Sequence, residues 1–274
     1  MELNDNIENS PIDKKRIPLN KFKILFLVSI VVIGVLTVNT LLQVSTINEY
    51  EQQRNDLLNQ FYDSTDLELE FMQNINFAVN YGTNSYLYWV KIPFETYFNF
   101  RIYKSHDLDR TSYDSLVKSL EDFCDSSSIV SIAQSIRDLC VDPLDNEEIA
   151  NAMLNFVQDK GEFEASLHYI SEEDDVPKYP IETIVEGGGD CEDLSILFVS
   201  LLESIGFDTI LIVIPGHCYA GVYLSSAPTH GDSWSFTSNE KSYYTCETTA
   251  EGWKVGDLPA SSQGESAYIE EVIC

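Results

Sequence analysis

Basic residues are scarce in this chain. Sixteen Lys and Arg stand against 45 Asp and Glu in 274 residues, a formal charge of −29. Five of the sixteen lie within the first 23 residues, so that from Ser45 onward eleven basic residues face 41 acidic ones. A surface of that sign repels phosphate backbones, which excludes nucleic-acid binding as a function class. The acids are spread over the whole chain, the pattern of a surface kept hydrated in high salt rather than of one local acidic site. Histidine is rarer still, with four residues, and neither C-x-x-C nor H-x-x-x-H spacing occurs, so no metal site and no cofactor is expected. Six cysteines in a chain of this length do not make a disulfide scaffold. No internal repeat is visible.

One long apolar run is present. Residues 24–44, ILFLVSIVVIGVLTVNTLLQV, contain no charge. At about 1.5 Å per residue they match the hydrocarbon thickness of a bilayer. Lys14, Lys15, Arg16, Lys21 and Lys23 precede the run, and Glu49 and Glu51 follow it. The run is longer than a signal peptide's apolar region and lacks a small-residue cleavage site. The expectation is a single transmembrane helix, with a disordered cytoplasmic tail at 1–23 and residues 45–274 outside the cell membrane.

Beyond it, the spacing of Leu57, Leu58, Phe61, Leu67, Leu69, Phe71 and Met72, without a proline before Pro93, predicts helix over 46–80. The aromatic and β-branched stretch 86–103 predicts a strand pair turning near Pro93. A helical period returns over 112–140, and Asp145 is placed to cap a helix through Val157. Residues 159–182 read as an acidic loop. Asp190 caps a core helix over 190–205 that Gly206 ends. Strands follow at TILIVI (209–214), HCYAGVYL (217–224) and SYYTCETT (242–249), with a turn at Pro215-Gly216-His217.

The stretch EGGGDCEDL at 186–194 carries the chemistry. Three glycines permit a sharp turn and close approach to the backbone. Cys191 then falls in the first turn of a buried helix, where unpaired N–H groups favour a thiolate and an oxyanion. A thiolate needs a base and the base an orienting acid, and His217 and Glu247 head and end later strands. The plainer reading is a small apolar filler at Cys191 and a turn residue at His217. Asp190, Glu192 and Asp193 also work against a thiolate unless they point away. His106, His168 and His230 lie in polar stretches and are expected in solvent. Gln158 is a possible oxyanion donor, with a surface position the simpler expectation.

The block YPIETIVEGGGDCEDLSILFVSLLESIGFDTILIVIPGHCYAGV, followed by YYTCETTAEGWKVGDLP, resembles the archaeal transglutaminase-like family of papain-like thiol enzymes over about residues 145–259. A weaker match runs back to Tyr86. The resemblance implies an α+β fold: a papain-like, transglutaminase-like core with its cysteine at the start of a helix packed on an antiparallel sheet. The single transmembrane helix and a helical region would precede it. Residues 45–144 would be an extracellular leading region and 145–274 the catalytic domain. Cys191 is then the nucleophile, His217 the base and acid, and Glu247 the orienting carboxylate, where many transglutaminase-like proteins have aspartate. Gly188, Gly189, Asp190, Tyr179 and Trp253 would line the substrate groove.

The implied activity is attack on an amide of a protein or peptide substrate, as a peptidase or amidase or as an acyltransferase. The alternative is a non-catalytic cell-surface module that binds a polypeptide in the same groove. If His217 and Glu247 face one another on adjacent strands, Cys218 lies directly opposite Cys246. That pair is then either a cross-strand disulfide or two buried free thiols.

Overall fold

A computed structural model of the protein describes residues 75–81, 84–90, 92–158, 167–171, 176–229 and 232–274. Two antiparallel strands, β1 (Ile75–Tyr81) and β2 (Asn84–Val90), open the described chain. Helix α1 (Phe94–Phe98) runs into a π-helical turn at Asn99–Tyr103. Three more helices follow: α2 (Tyr113–Glu121), α3 (Val130–Arg137) and α4 (Asn146–Val157). Short strand β3 (His168–Tyr169), helix α5 (Pro180–Val185) and short strand β4 (Gly188–Gly189) lead into helix α6 (Cys191–Glu203). Strands β5 (Thr209–Ile214), β6 (His217–Tyr223), β7 (Ser235–Ser238), β8 (Lys241–Cys246) and β9 (Tyr268–Glu271) form a curled antiparallel sheet in the order β7-β8-β6-β5-β9.

The fold class expected from the sequence is corrected at its leading region. Where helix is predicted over 46–80, the described part, from Ile75, is strand, and it pairs with β2 rather than continuing a helix. Pairing with the next segment of the chain, Tyr81 opposite Asn84, overrides a weak helical period there. The strand pair expected to turn near Pro93 is likewise absent. Pro93 instead accepts from Thr96 N–H at 2.9 Å and starts α1, because a fixed φ suits a helix start. Among the described residues no helix is long and apolar enough to cross a membrane. The expected tail at 1–23 and span at 24–44 lie outside the described residues.

Helix α6 is the centre of the core. Leu194, Ile196, Leu197, Phe198, Val199, Leu201 and Leu202 are all fully buried, so the helix is covered all round. Each such side chain contributes about 1.5–3 kcal/mol by leaving water. One face of the sheet, with Leu211, Val213, Cys218, Ala220, Val222, Tyr244 and Cys246, packs in the same cluster as α6 and helices α2 to α5. The other face, with Ile210, Ile212, Ile214, Tyr219 and Tyr243, forms a second cluster with Leu258. Strand β5 is buried at every position, which is why its sequence is an unbroken apolar run. Residues on both sides of the expected domain boundary at 144/145 share the first cluster, from Val117 and Ile136 to Ile149 and Met153.

Local signals operate as expected at several helix ends. The Asp145 carboxylate accepts from the N–H groups of Glu147 and Glu148. Gly206, at φ 89°, takes the left-handed conformation that ends α6. Gly216, at φ 80°, turns the chain from β5 into β6.

Candidate active site

Helix α6 begins at Cys191, and its first turn lies against the ends of two strands. Ser195, one turn along, donates to Cys218 O at 3.3 Å and lies 3.2 Å from Thr248 Oγ1. Those partners adjoin His217 and Glu247 in the chain, so the start of the helix and this pair share one end of the sheet. His217 Nε2 donates to Glu247 Oε2 at 3.0 Å. The imidazole is held edge-on against Tyr219, with ring centroids 4.3 Å apart. The other carboxylate oxygen of Glu247 accepts from Thr249 N–H at 2.8 Å and from the Thr249 hydroxyl at 2.6 Å. Burial works to raise the Glu247 pKa. The bond and charge of His217, with the two bonds from Thr249, more than offset it and leave the carboxyl below its ordinary value.

The strand register differs from the one that the sequence suggests. Strand β6 pairs with β8 through Ala220–Cys246, Gly221–Thr245, Val222–Tyr244 and Tyr223–Tyr243. Cys218 is therefore not opposite Cys246; the two are free, buried thiols, and the disulfide reading is corrected. Continued past β8, the same register sets Glu247 opposite Tyr219 and His217 two residues away on the diagonal. A diagonal neighbour on the same face is within reach of a long side chain. Glutamate, one methylene longer than aspartate, spans it.

The thiol itself differs from expectation. Cys191 Sγ donates to Glu192 Oε2 at 3.1 Å. Its pKa is pushed well up, first by burial, then by Cys218 and by Glu192 and Asp190. In this arrangement the surroundings of Cys191 favour the thiol over the thiolate.

The glycines serve the protein's own chain. Strand β4 pairs in parallel with β3, His168 with Gly188 and Tyr169 with Gly189. A Cβ on Gly188 would stand 2.0 Å from His168 O, and one on Gly189 would stand 2.2 Å from Asp193 Oδ2. A side chain at either position is excluded by the His168 backbone and by the Asp193 carboxylate. Asp190, buried, is the N-cap residue of α6.

Asp193 and Lys178 are missed by sequence reasoning as members of the site. Asp193 Oδ1 accepts from Lys178 N–H at 2.7 Å, and Oδ2 accepts from Asp190 N–H at 3.3 Å. The Lys178 ammonium, buried, lies 3.7 Å from Asp193 Oδ2 and donates to Gly188 O at 3.1 Å. Burial, then the charge of Asp190, raises the Asp193 pKa to about 8. A buried lysine thus ties the glycine turn to the first turn of α6. Its only sequence signal is a basic residue in an acidic stretch.

Tyr179 is in the core. Its ring packs against Phe100, Phe123 and His106, and its hydroxyl donates to Ser105 O at 3.1 Å. Trp253 is half-buried, and its carbonyl accepts from Gln158 Nε2 at 3.0 Å. Gln158 is not at the surface: it is buried, and Nε2 also donates to Glu247 O at 2.9 Å. Its amide hydrogens fasten the Glu247 and Trp253 segments and are spent there. His106 is not in solvent either, since Nε2 donates to Glu182 at 2.9 Å. His168 lies in β3 beside Gly188, and His230 is outside the described residues.

Tyr169 is a further residue that the sequence did not single out. It is 43% exposed on β3, opposite Gly189. Its phenol feels the charges of Cys191, Asp190, Glu192 and Glu247, and burial followed by those charges raises its pKa. Among the described residues, the ligand atoms of Asp190, Cys191 and Glu192 lie within 4.8 Å of one another, the one grouping of this kind able to hold a metal ion.

No family model matches the chain, and no curated protein matches it. Among solved structures it is similar to calcium-bound LapG of Legionella pneumophila, at 18% identity over 50% of this chain and 81% of that one, with a TM-score of 0.24. A likeness at that score is distant and carries no argument about this chain.

Proposed function

We propose that this chain is a thiol enzyme acting on an amide bond of a protein or peptide, with Cys191 as nucleophile, His217 as base and acid, and Glu247 as the group that orients His217. The observation that supports it is the His217–Glu247 bond at the sheet end that meets the start of α6. With Nε2–H held by Glu247, Nδ1 is left to take the thiol proton. The Cys191–Glu192 bond must first break by rotation of the Glu192 side chain. The thiolate then adds to the amide carbonyl, and the resulting oxyanion meets the N–H groups at the start of α6. His217 gives its proton to the leaving amine, leaving a thioester that water or an amine resolves.

The resting bond from Cys191 to Glu192 favours a second reading, a polypeptide-binding module without turnover. The two are separated by incubating the purified protein with a mixed peptide pool, with and without a primary amine, and reading products by mass spectrometry. New peptide termini, deamidated glutamines or amine adducts that vanish in Cys191→Ala support the enzyme. Binding of peptides with an identical product profile in both proteins overturns it.

A further inference from the structure

The sequence directs attention to Cys218 and Cys246 as a pair, but the fold brings a different pair together. Cys124 lies just after α2, and Cys274 lies three residues after β9, about 150 residues away. The hydroxyl of Ser200 on α6 brings them together: it stands 3.9 Å from Cys274 Sγ and is bonded by the residue that follows Cys124. The surroundings hold the two segments in register. Ser200 Oγ accepts from Asp125 N–H at 3.2 Å, next to Cys124. Glu121 accepts from Ile273 N–H at 3.3 Å, next to Cys274. Tyr113 at the start of α2 stacks on Tyr268 at the start of β9, with centroids 5.1 Å apart. Cys274 is exposed and Cys124 is half-buried, so an incoming reagent meets Cys274 first.

We infer that Cys124 and Cys274 form a reversible disulfide that staples the edge strand β9 to helix α2. The step is thiol–disulfide exchange with a small-molecule disulfide. The Cys274 thiolate attacks that disulfide, forming a mixed disulfide and releasing one small thiol. Cys124 loses its proton to solvent and attacks the Cys274 sulfur, releasing the second small thiol. Two protein thiols are oxidised to one disulfide, and one small disulfide is reduced to two thiols. Exposure fits Cys274 to the first step, and Cys124, half-buried beside the same Ser200, is placed to take the second. Strand β9 pairs with β5, the neighbour of the strand that carries His217, so the staple secures the open edge of that sheet. This inference does not depend on the thiol-enzyme reading, because neither cysteine belongs to that site.

The test uses the purified full chain and oxidised glutathione at pH 8, quenched with N-ethylmaleimide and mapped without reduction. The expected result is a peptide linking Cys124 to Cys274. Closing so long a loop raises the melting temperature by about 5–15 °C, and dithiothreitol reverses the rise. Cys274→Ser, at an exposed position that leaves the core intact, gives neither the link nor the rise. Glutathione retained on Cys274 with Cys124 alkylated overturns the inference, as does a link that leaves the melting temperature unchanged.

Discussion

Two histidine–glutamate pairs occur in the described chain, and they are built alike and placed differently. His217 meets Glu247 at 3.0 Å, and His106 meets Glu182 at 2.9 Å. In the second pair everything around the carboxylate is spent on structure. Glu182 accepts from Tyr179 N–H at 2.8 Å, lies 3.6 Å from an Arg101 nitrogen, and is fully buried. The His106 ring is wedged between Phe123 and Tyr179. In the first pair the imidazole stands at a strand end, beside the start of a helix headed by a cysteine. A histidine–carboxylate bond is therefore not a site in itself; the free face of the ring and the group it meets decide.

Exchanging the two pairs one residue at a time breaks or sharpens that comparison. The largest effect expected is on turnover. Cys191→Ala abolishes it, and His217→Ala lowers it by about 10²–10⁴-fold, measured as peptide product formed per enzyme. His106→Ala leaves turnover within about threefold but removes one of the partners of a buried carboxylate that Tyr179 N–H and Arg101 still hold. Its cost is about 1–3 kcal/mol, read from urea unfolding. Equal turnover losses in the two histidine variants would erase the distinction between the pairs.

Gly188→Ala comes next, since its Cβ would meet the His168 carbonyl and its φ of 143° disfavours any side chain. We expect a loss of about 2–4 kcal/mol in the same unfolding measurement, with the β3–β4 pairing disrupted. Glu247→Gln is smaller again. It keeps the shape, loses the charge that orients His217, and lowers kcat about 10–100-fold with little change in KM.

The smallest effect is in the pH dependence of stability. Glu247 has its folded pKa below its ordinary 4.5, so its contribution is present above that value and is lost as pH falls through the lower folded value. Unfolding curves between pH 6 and 3 should fall less steeply for Glu247→Gln than for the parent. An unchanged acid limb would mean that the pair does not hold Glu247 charged.

What was legible in the sequence was local. Asp145 and Gly206 cap their helices, α6 reads as a buried helix, and TILIVI as a buried strand, because each rests on neighbours within a turn or on an unbroken apolar run. Strands β7 and β9 were not legible: SFTS and YIEE are short, polar edge strands whose partners lie elsewhere in the chain. The register of β6 on β8 was off by two residues because only side-chain parity is written locally; the offset is set by the turns and the core. His106–Glu182 and Lys178–Asp193 join residues 76 and 15 positions apart, so composition gave no hint of them. At 188 and 189 the need for glycine comes from the close approach of His168 and Asp193, which local sequence does not show.

The most direct test of the central claim is a burst experiment with p-nitrophenyl acetate on the purified chain, with the acyl group located by mass spectrometry. Exposed Cys274 serves as an internal reference thiol. The account predicts a rapid burst of about one equivalent of nitrophenolate, with acetyl on Cys191. The burst is absent in Cys191→Ala and slowed at least tenfold in His217→Ala. Acetyl appearing first on Cys274, or a Cys191 rate unchanged by His217→Ala, would contradict it.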